Sequence, residues 1–343
     1  MTTVDFTKSY RARKKRAMIV LSIFALLILL TFIVSMNTGF IKLTPYELLK
    51  TIMGHGTAQQ ELILFEFRLP RIVISIIVGA SLAVSGCVMQ GFSRNALADP
   101  GILGINAGAG LAVIVYISFI PIESTSSVML LPVLAWLGAG ATAAIIYALA
   151  YKRNDGLSPT RLLLTGIAIA AAISAAMIVL TLKLSPEQYN FVAKWMAGSI
   201  WGSNWKYVAS ILPFFIVLLP YVIYKSHILN ILNMGDQLST GLGVDVEKQR
   251  RMLLAAAVGL AGSAVSISGG IGFVGLIAPH LVRRLIGPQH QFLLPGSALA
   301  GGLLVLVADT LGRWMIQPSE IPAGIIVACI GAPYFLYLLA KSK

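Results

Sequence analysis

Charge is what this sequence has least of. Only 11% of its 343 residues are Asp, Glu, Lys or Arg, where a soluble domain carries roughly 25%. Acids are the scarcer sign, 13 against 26 basic residues. No polar stretch is long enough to house a separate soluble domain, so one integral domain is expected. The two cysteines, Cys87 and Cys329, both fall inside apolar runs, which excludes a disulfide framework. Signatures of catalysis are missing too. There is no H-E-x-x-H metal site, no carboxylate pair at helical spacing and no G-x-x-x-x-G-K-[ST] phosphate loop. Asp309 is the only acid well inside an apolar run. It reads as a satisfied polar packing residue near a helix end. An ion-coupled secondary transporter normally carries a chain of such groups, so their scarcity argues against that class.

What is present is oil. Apolar residues make up 57% of the chain, and the mean hydropathy is +0.85. Runs long enough to cross a bilayer, about 17–25 residues, recur from one end to the other. The candidates are 17–36, 72–92, 101–120, 129–150, 162–182, 207–224, 252–273, 292–312 and 321–340. A shorter piece, 276–287, makes ten if it counts as a short membrane helix, and both termini then lie on one side. The fold class is therefore an all-α polytopic membrane protein: a basic segment 1–16 followed by one membrane domain, 17–343. The first run is longer than the h-region of a signal peptide and no small-x-small cleavage site follows, so it reads as a retained span. Lys8, Arg11, Arg13, Lys14, Lys15 and Arg16 precede it, which puts both termini in the cytoplasm under the positive-inside rule. The net charge of +13 is thus a matter of topology, and no nucleic-acid partner is expected. "GASLAVSG" (79–86) and "GSAVSISG" (262–269) echo one another, as internal repeats in transporters do.

Three polar stretches interrupt the apolar pattern. "RLPRIVIS" (68–75) puts two arginines outside, where arginine is uncommon, which suits an acidic partner or ordinary interfacial snorkelling. "NDGLSPTRLLLTG" (154–166) carries Pro159 at the mouth of a span. The longest cytoplasmic loop, 232–251, reads "LNMGDQLSTGLGVDVEKQRR". Gly235 and Asp236 start a short helix there that stops at Gly241 and Gly243, and Asp245 caps a second. Leu238, Leu242, Val244 and Val246 are apolar residues in a polar loop, so they dock on something. A fourth segment, "GGIGFVGLIAPHLVRRLIG" (269–287), mixes glycines, Pro279, His280, Arg283 and Arg284 with apolar residues. Lipid-facing wall has no use for that mixture. Non-helical backbone at membrane depth is tolerated only when buried in protein or lining a cavity.

At these residues the chain resembles the permease subunits of the ABC importers for ferric siderophores, haem and cobalamin. The likeness covers nearly the whole sequence, from "FRLPRIVISIIVGASLAVSGCVMQGFSRNALADPGILGINAGAG" through "GGIGFVGLIAPHLVRRLIG" and "LLPGSALAGG" to "EIPAGIIVACIGAPYFLYLL". It implies the type II importer fold: ten membrane helices per subunit and two permease subunits, identical or paralogous, around a central pathway. Two cytosolic ATPases, which hold the ATP and Mg, and an extracytoplasmic binding protein (lipoprotein or periplasmic) complete the assembly. This chain itself is expected to hold no cofactor or metal and to catalyse nothing. The location implied is a bacterial cytoplasmic membrane. The substrate implied is a ferric siderophore, with haem and cobalamin as the alternatives within the family. Carried over by position, Arg68, Arg71 and Arg313 receive acidic residues of the binding protein. Ser158, Pro159 and Thr160 form the cytoplasmic gate, where Pro159 departs from the family's pair of small polar residues. Gly235, Asp236, Leu238, Leu242, Gly243 and Val244 couple to the ATPase. Residues 269–275 become a turn and 279–287 a short helix returning to the cytoplasm. A siderophore already fills iron's coordination sphere, so His280 is expected to be a hydrogen-bonded structural group rather than a ligand.

Overall fold

The computed structural model of the chain describes residues 3–39, 44–119, 125–153, 156–317 and 319–341. After α1 (Thr3–Asn37) come two short helices, α2 (Pro45–Ile52) and α3 (Ala58–Glu61). A π-helical stretch, Leu62–Arg68, then runs straight into α4 (Leu69–Ser93). A 3-10 turn precedes α5 (Ile105–Phe119) and α6 (Thr125–Ala150). A two-strand ribbon pairs Tyr151–Lys152 antiparallel with Gly156–Leu157. α7 (Pro159–Thr181), α8 (Pro186–Met196), α9 (Trp205–Tyr224), α10 (Ser226–Leu232) and α11 (Asp236–Gly241) lead to α12 (Val246–Ser268). The last three are α13 (Val274–Ile286), α14 (His290–Met315) and α15 (Ala323–Lys341).

Among the described residues, seven helices are long and apolar enough to cross a membrane, taking Ala58–Ser93 as one, and Ile105–Phe119 and Ala323–Tyr337 are shorter apolar helices. The 13-residue α13 brings this to a number compatible with ten. Two expected boundaries move. The run 101–120 becomes helical in the α sense only at Ile105, because the Asp99 carboxylate accepts the Gly101 N–H at 2.7 Å and Gly104 turns left-handed. The short helix expected over 279–287 starts five residues earlier, at Val274. Pro279 therefore sits inside it. Proline offers no N–H to the carbonyl four residues back, and that carbonyl, Gly275's, accepts from the Gln90 side chain of α4 at 3.1 Å instead.

α4 is the hub of the bundle and packs against α14, α12, α13 and α9. Most of it is buried, whereas α1, α7 and α9 are covered over only a small part of their surface. In lipid, close packing rather than water exclusion holds spans together, and small residues permit it. A Cβ on Gly79 would overlap the Gly301 carbonyl of α14, and one on Gly86 would overlap the Gly275 carbonyl of α13. Helix α12 joins through the Ser85 hydroxyl, which donates to the Ala257 carbonyl at 2.7 Å. The echo between 79–86 and 262–269 does not extend to their neighbours: Gly262 faces Trp136 and Ala139, while Gly269 ends α12 at φ 67°.

The two ends of the bundle differ. One end carries the basic residues Arg11–Arg16, the strands Tyr151–Lys152 and Gly156–Leu157, α10 and α11, and the turn between α13 and α14. Arg284 lies 6.0 Å from the Tyr337 ring, so the last turns of α15 reach this end as well. The opposite end gathers α2, α3, α8 and the turn between α14 and α15.

Candidate functional site

At the opposite end the three expected docking arginines come together, around two acids. Asp309, 1% exposed, accepts Arg71 Nε at 2.9 and 3.1 Å and Arg71 Nη2 at 2.8 Å. Arg71 Nη1 pairs with Glu320 at 2.8 Å. Arg313, one turn after Asp309 on α14, donates to it at 3.2 Å. Its other nitrogens reach the end of α1, at the Thr38 carbonyl (2.8 Å) and the Ser35 hydroxyl. Arg68 donates to the Met36 carbonyl on the same helix end. The unsatisfied carbonyls of a helix C-terminus are natural partners for guanidinium donors. Arg68 and Arg313 are thus buried inside the chain. Arg71 alone of the three borders open space. It lines a cavity of about 730 Å³ with Glu187 and Lys194 of α8, Trp195, Trp201 and Glu320. Asp309 is the satisfied buried acid that its place near a helix end suggested. Glu320 and Lys194 escaped notice in the sequence because each sits alone in its own stretch.

At the basic end the loop 232–251 folds as its residues indicate. Gly235 (φ 109°) begins α11, Gly241 is its last residue, and Asp245 caps α12 by accepting the Lys248 N–H at 3.0 Å. Gly243 has φ 80° with open space around it, so it is backbone conformation that requires glycine there. Leu238 and Leu242, four residues apart, are 57% and 60% exposed, and Met234 before them is also exposed. Val244 differs from the other anchors: it is half-buried and packs on the chain's own core.

The same end holds a connection that no motif announced. Arg250 of α12, 3% exposed, grips Asp236 of α11 with two nitrogens at 2.9 and 2.6 Å. Arg94, after α4, approaches the same carboxylate at 3.6 Å. Arg250 Nη1 also reaches the Leu157 carbonyl at 3.4 Å, and Glu247 accepts the Leu157 N–H at 3.1 Å. Leu157 is the residue before Ser158–Pro159–Thr160. Ser158 stands at the N-cap of α7 without a side-chain cap bond, Pro159 is the first helical residue and Thr160 is exposed. The turn expected to gate is therefore tied to the helix expected to couple through one buried arginine. In sequence, 93 residues separate the bonded pair, so no spacing rule could have found it.

His280, on α13, does not meet the expected hydrogen bond. Its Nε2 has no partner among the described residues, and the ring packs edge-on against Tyr334 at 6.1 Å.

A model of the FecCD transport family matches residues 26–341. The chain belongs to that family. Among curated relatives, this FecCD-family chain is 48% identical over 337 residues to the iron(3+)-hydroxamate import system permease protein FhuG of Bacillus subtilis, covering 97% of this chain and all of that one. It is 41% identical to the iron-uptake system permease protein FeuC of the same organism, covering 94% and 97%. The hemin transport system permease protein HmuU of Yersinia pestis is 41% identical over 283 residues, 80% of this chain and 82% of its own. Among solved structures, an inward-facing metal-chelate type ABC transporter superposes with a TM-score of 0.82 at 31% identity, covering 94% and 99%. The fold of this FecCD-family chain is accordingly that of an ABC importer permease, multi-pass in the membrane.

Proposed function

We propose that the chain is one permease subunit of a binding-protein-dependent ABC importer that carries a ferric siderophore of the hydroxamate kind into the cytoplasm. The observation that carries the substrate class is the 48% identity, end to end, with an iron(3+)-hydroxamate permease. The basic end faces the cytoplasm of a bacterial cell, because Arg11–Arg16 directly precede the first span. The chain does no chemistry. Energy comes from two cytosolic ATPases, which hold the ATP and Mg. A second permease subunit, identical or paralogous, lies across the pathway, and the sparsely covered α7 faces it.

Coupling runs through the basic end. The ATPase grips α11 at Leu238 and Leu242, with Met234 beside them, and moves it as a rigid piece. A driven change requires contacts that differ between two states. The pull on α11 reaches Asp236, then Arg250, then Leu157, and shifts the turn Ser158–Pro159–Thr160 that closes the pathway. At the other end the binding protein docks around the 730 Å³ cavity, where Arg71 and Lys194 offer cations to its acidic residues. Arg68 and Arg313 hold that platform in place. Three arginines against two acids leave the cluster one positive charge, and interface charge of this kind mainly tunes association and specificity.

Uptake of iron-labelled ferric hydroxamate, iron-labelled haem and cobalt-labelled cobalamin in cells that lack their own permease, complemented by this chain with its binding protein and ATPase, tests the substrate. Ferric hydroxamate uptake with no haem or cobalamin uptake is expected. Haem uptake in preference would move the chain to the hemin branch, to which it is 41% identical over a shorter stretch.

A further inference from the structure

A second cavity, of about 310 Å³, lies at the basic end, lined by Arg13, Arg16, Arg284, Ile286, Gly287, Pro288 and Gln289. Its size is near the lower end for sites that hold small ligands. Its chemistry is one-sided. Three of its seven lining residues are arginines, and none is an acid. Arg13 and Arg16 stand three apart on α1, a spacing that puts them on one face of the helix. Arg284 comes from the last turn of α13, so the cavity is walled by two helices distant in sequence and floored by the turn leading into α14. Guanidiniums sharing one recess repel each other unless an anion joins them, and the guanidinium fork matches the oxygens of phosphate in pairs.

Position decides what kind of anion. Immediately after Arg16, α1 changes from exposed basic residues to exposed apolar ones, Met18 (54%) and Ile19 (50%). Only a hydrocarbon environment suits such a surface, so the cavity opens at the level where acyl chains give way to headgroups. Tyr337, over whose ring Arg284 lies at 6.0 Å, is an aromatic of the sort concentrated at that level.

We infer that this cavity is a binding site for the phosphate headgroup of an anionic phospholipid, such as phosphatidylglycerol or cardiolipin, from the leaflet at the basic end. Arg13, Arg16 and Arg284 hold the phosphate, Ile286 and Pro288 border the glycerol, and the acyl chains lie along the exposed apolar face of α1. The lipid thereby pins α1 to α13. The inference rests on the membrane reading of the fold and is independent of the substrate and of the coupling path.

The test is native mass spectrometry of the intact transporter, purified from membranes containing phosphatidylglycerol and cardiolipin. Three variants are compared: Arg13→Gln/Arg16→Gln/Arg284→Gln, the charge-matched control Arg11→Gln/Lys14→Gln/Lys15→Gln outside the cavity, and the charge-keeping Arg13→Lys/Arg16→Lys/Arg284→Lys. Anionic lipid near a basic surface loses roughly fivefold in affinity per basic residue removed. Both glutamine triple variants lose that general attraction, but the cavity variant should retain far less anionic lipid than the charge-matched control, because it also loses the guanidinium contacts to the phosphate. The lysine variant should fall between the cavity variant and the unsubstituted protein. Equal retention in the cavity variant and the control overturns the site, because charge alone would then explain binding. Inorganic phosphate or glycerol 1-phosphate at millimolar concentration displacing the lipid completely would overturn the lipid assignment in favour of a free phosphate. Loss of the ATPase subunits with unchanged lipid would assign the cavity to a protein partner instead. If the triple variant fails to assemble, Arg284→Gln alone decides, with the same reading and a smaller drop.

Discussion

Replacing Asp236 with alanine should harm the chain more than replacing Arg250 with methionine, although either change removes the same ion pair. The asymmetry comes from burial. Arg250 is 3% exposed and Asp236 is 48% exposed. Arg250→Met leaves a carboxylate that water and Arg94 both reach, while the methionine chain keeps much of the buried volume. The lost pair is half-exposed, so it contributes no more than about 1 kcal/mol, with about 1 kcal/mol more for the bond to Leu157. Asp236→Ala instead strands a buried guanidinium. Arg250 Nε already has no partner, and the Leu157 carbonyl at 3.4 Å is a weak one. Breaking a buried pair from that side costs about 3–5 kcal/mol, and the half-exposed partner argues for the lower figure. The double variant Asp236→Ala/Arg250→Met removes the stranded charge and should be more stable than Asp236→Ala alone. Thermal unfolding of the purified assembly, followed by fluorescence-detected size exclusion, measures the three against the unsubstituted chain. ATPase stimulation by the loaded binding protein should fall in all three, because the Asp236–Arg250 step that connects α11 to Leu157 is lost in each. If the double variant is the least stable of the three, or if stimulation survives in all of them, the reasoning about this clamp is wrong.

Gly243→Val should abolish transport and stimulated ATP hydrolysis while the chain still inserts, since φ 80° is a conformation β-branched residues avoid; Gly243→Asn, which tolerates it, should keep most activity, and equal activity of the two would dismiss the backbone argument. Gly86→Val should lower the yield of folded permease severely, because a side chain there meets the Gly275 backbone rather than a movable side chain; normal melting of that variant would contradict the close crossing of α4 and α13. Arg313→Gln should also act through folding, leaving Asp309 and Arg71 to repack, whereas Lys194→Glu should leave melting unchanged and raise the binding protein's dissociation constant measured on proteoliposomes. Cysteines placed at 158 and 160 should crosslink across the two permease subunits in the closed state, and no crosslink in any nucleotide state would move the gate elsewhere.

The sequence made the spans legible because apolar length is a strong signal, and it made α11 and the start of α12 legible because Gly235, Gly241, Gly243 and Asp245 are each local instructions. The start of α13 was misplaced for a related reason: a proline reads as a helix boundary, yet here the lost bond is replaced by Gln90 from another helix. What stayed hidden was long-range pairing. Arg71 meets Asp309 across 238 residues and Arg250 meets Leu157 across 93. An exposed arginine and a buried one look alike in a single sequence, so the burial of Arg68 and Arg313 needed three dimensions. The interior role of Asp309 was legible because one acid alone in an apolar run has to be satisfied by something.

The most direct test of the account is transport by the whole assembly, permease pair, ATPases and binding protein, reconstituted in proteoliposomes with ferric hydroxamate outside. Accumulation inside should require ATP on the side of the basic end, require the binding protein on the other, and stop with vanadate. Accumulation driven by a proton or sodium gradient without ATP would contradict it.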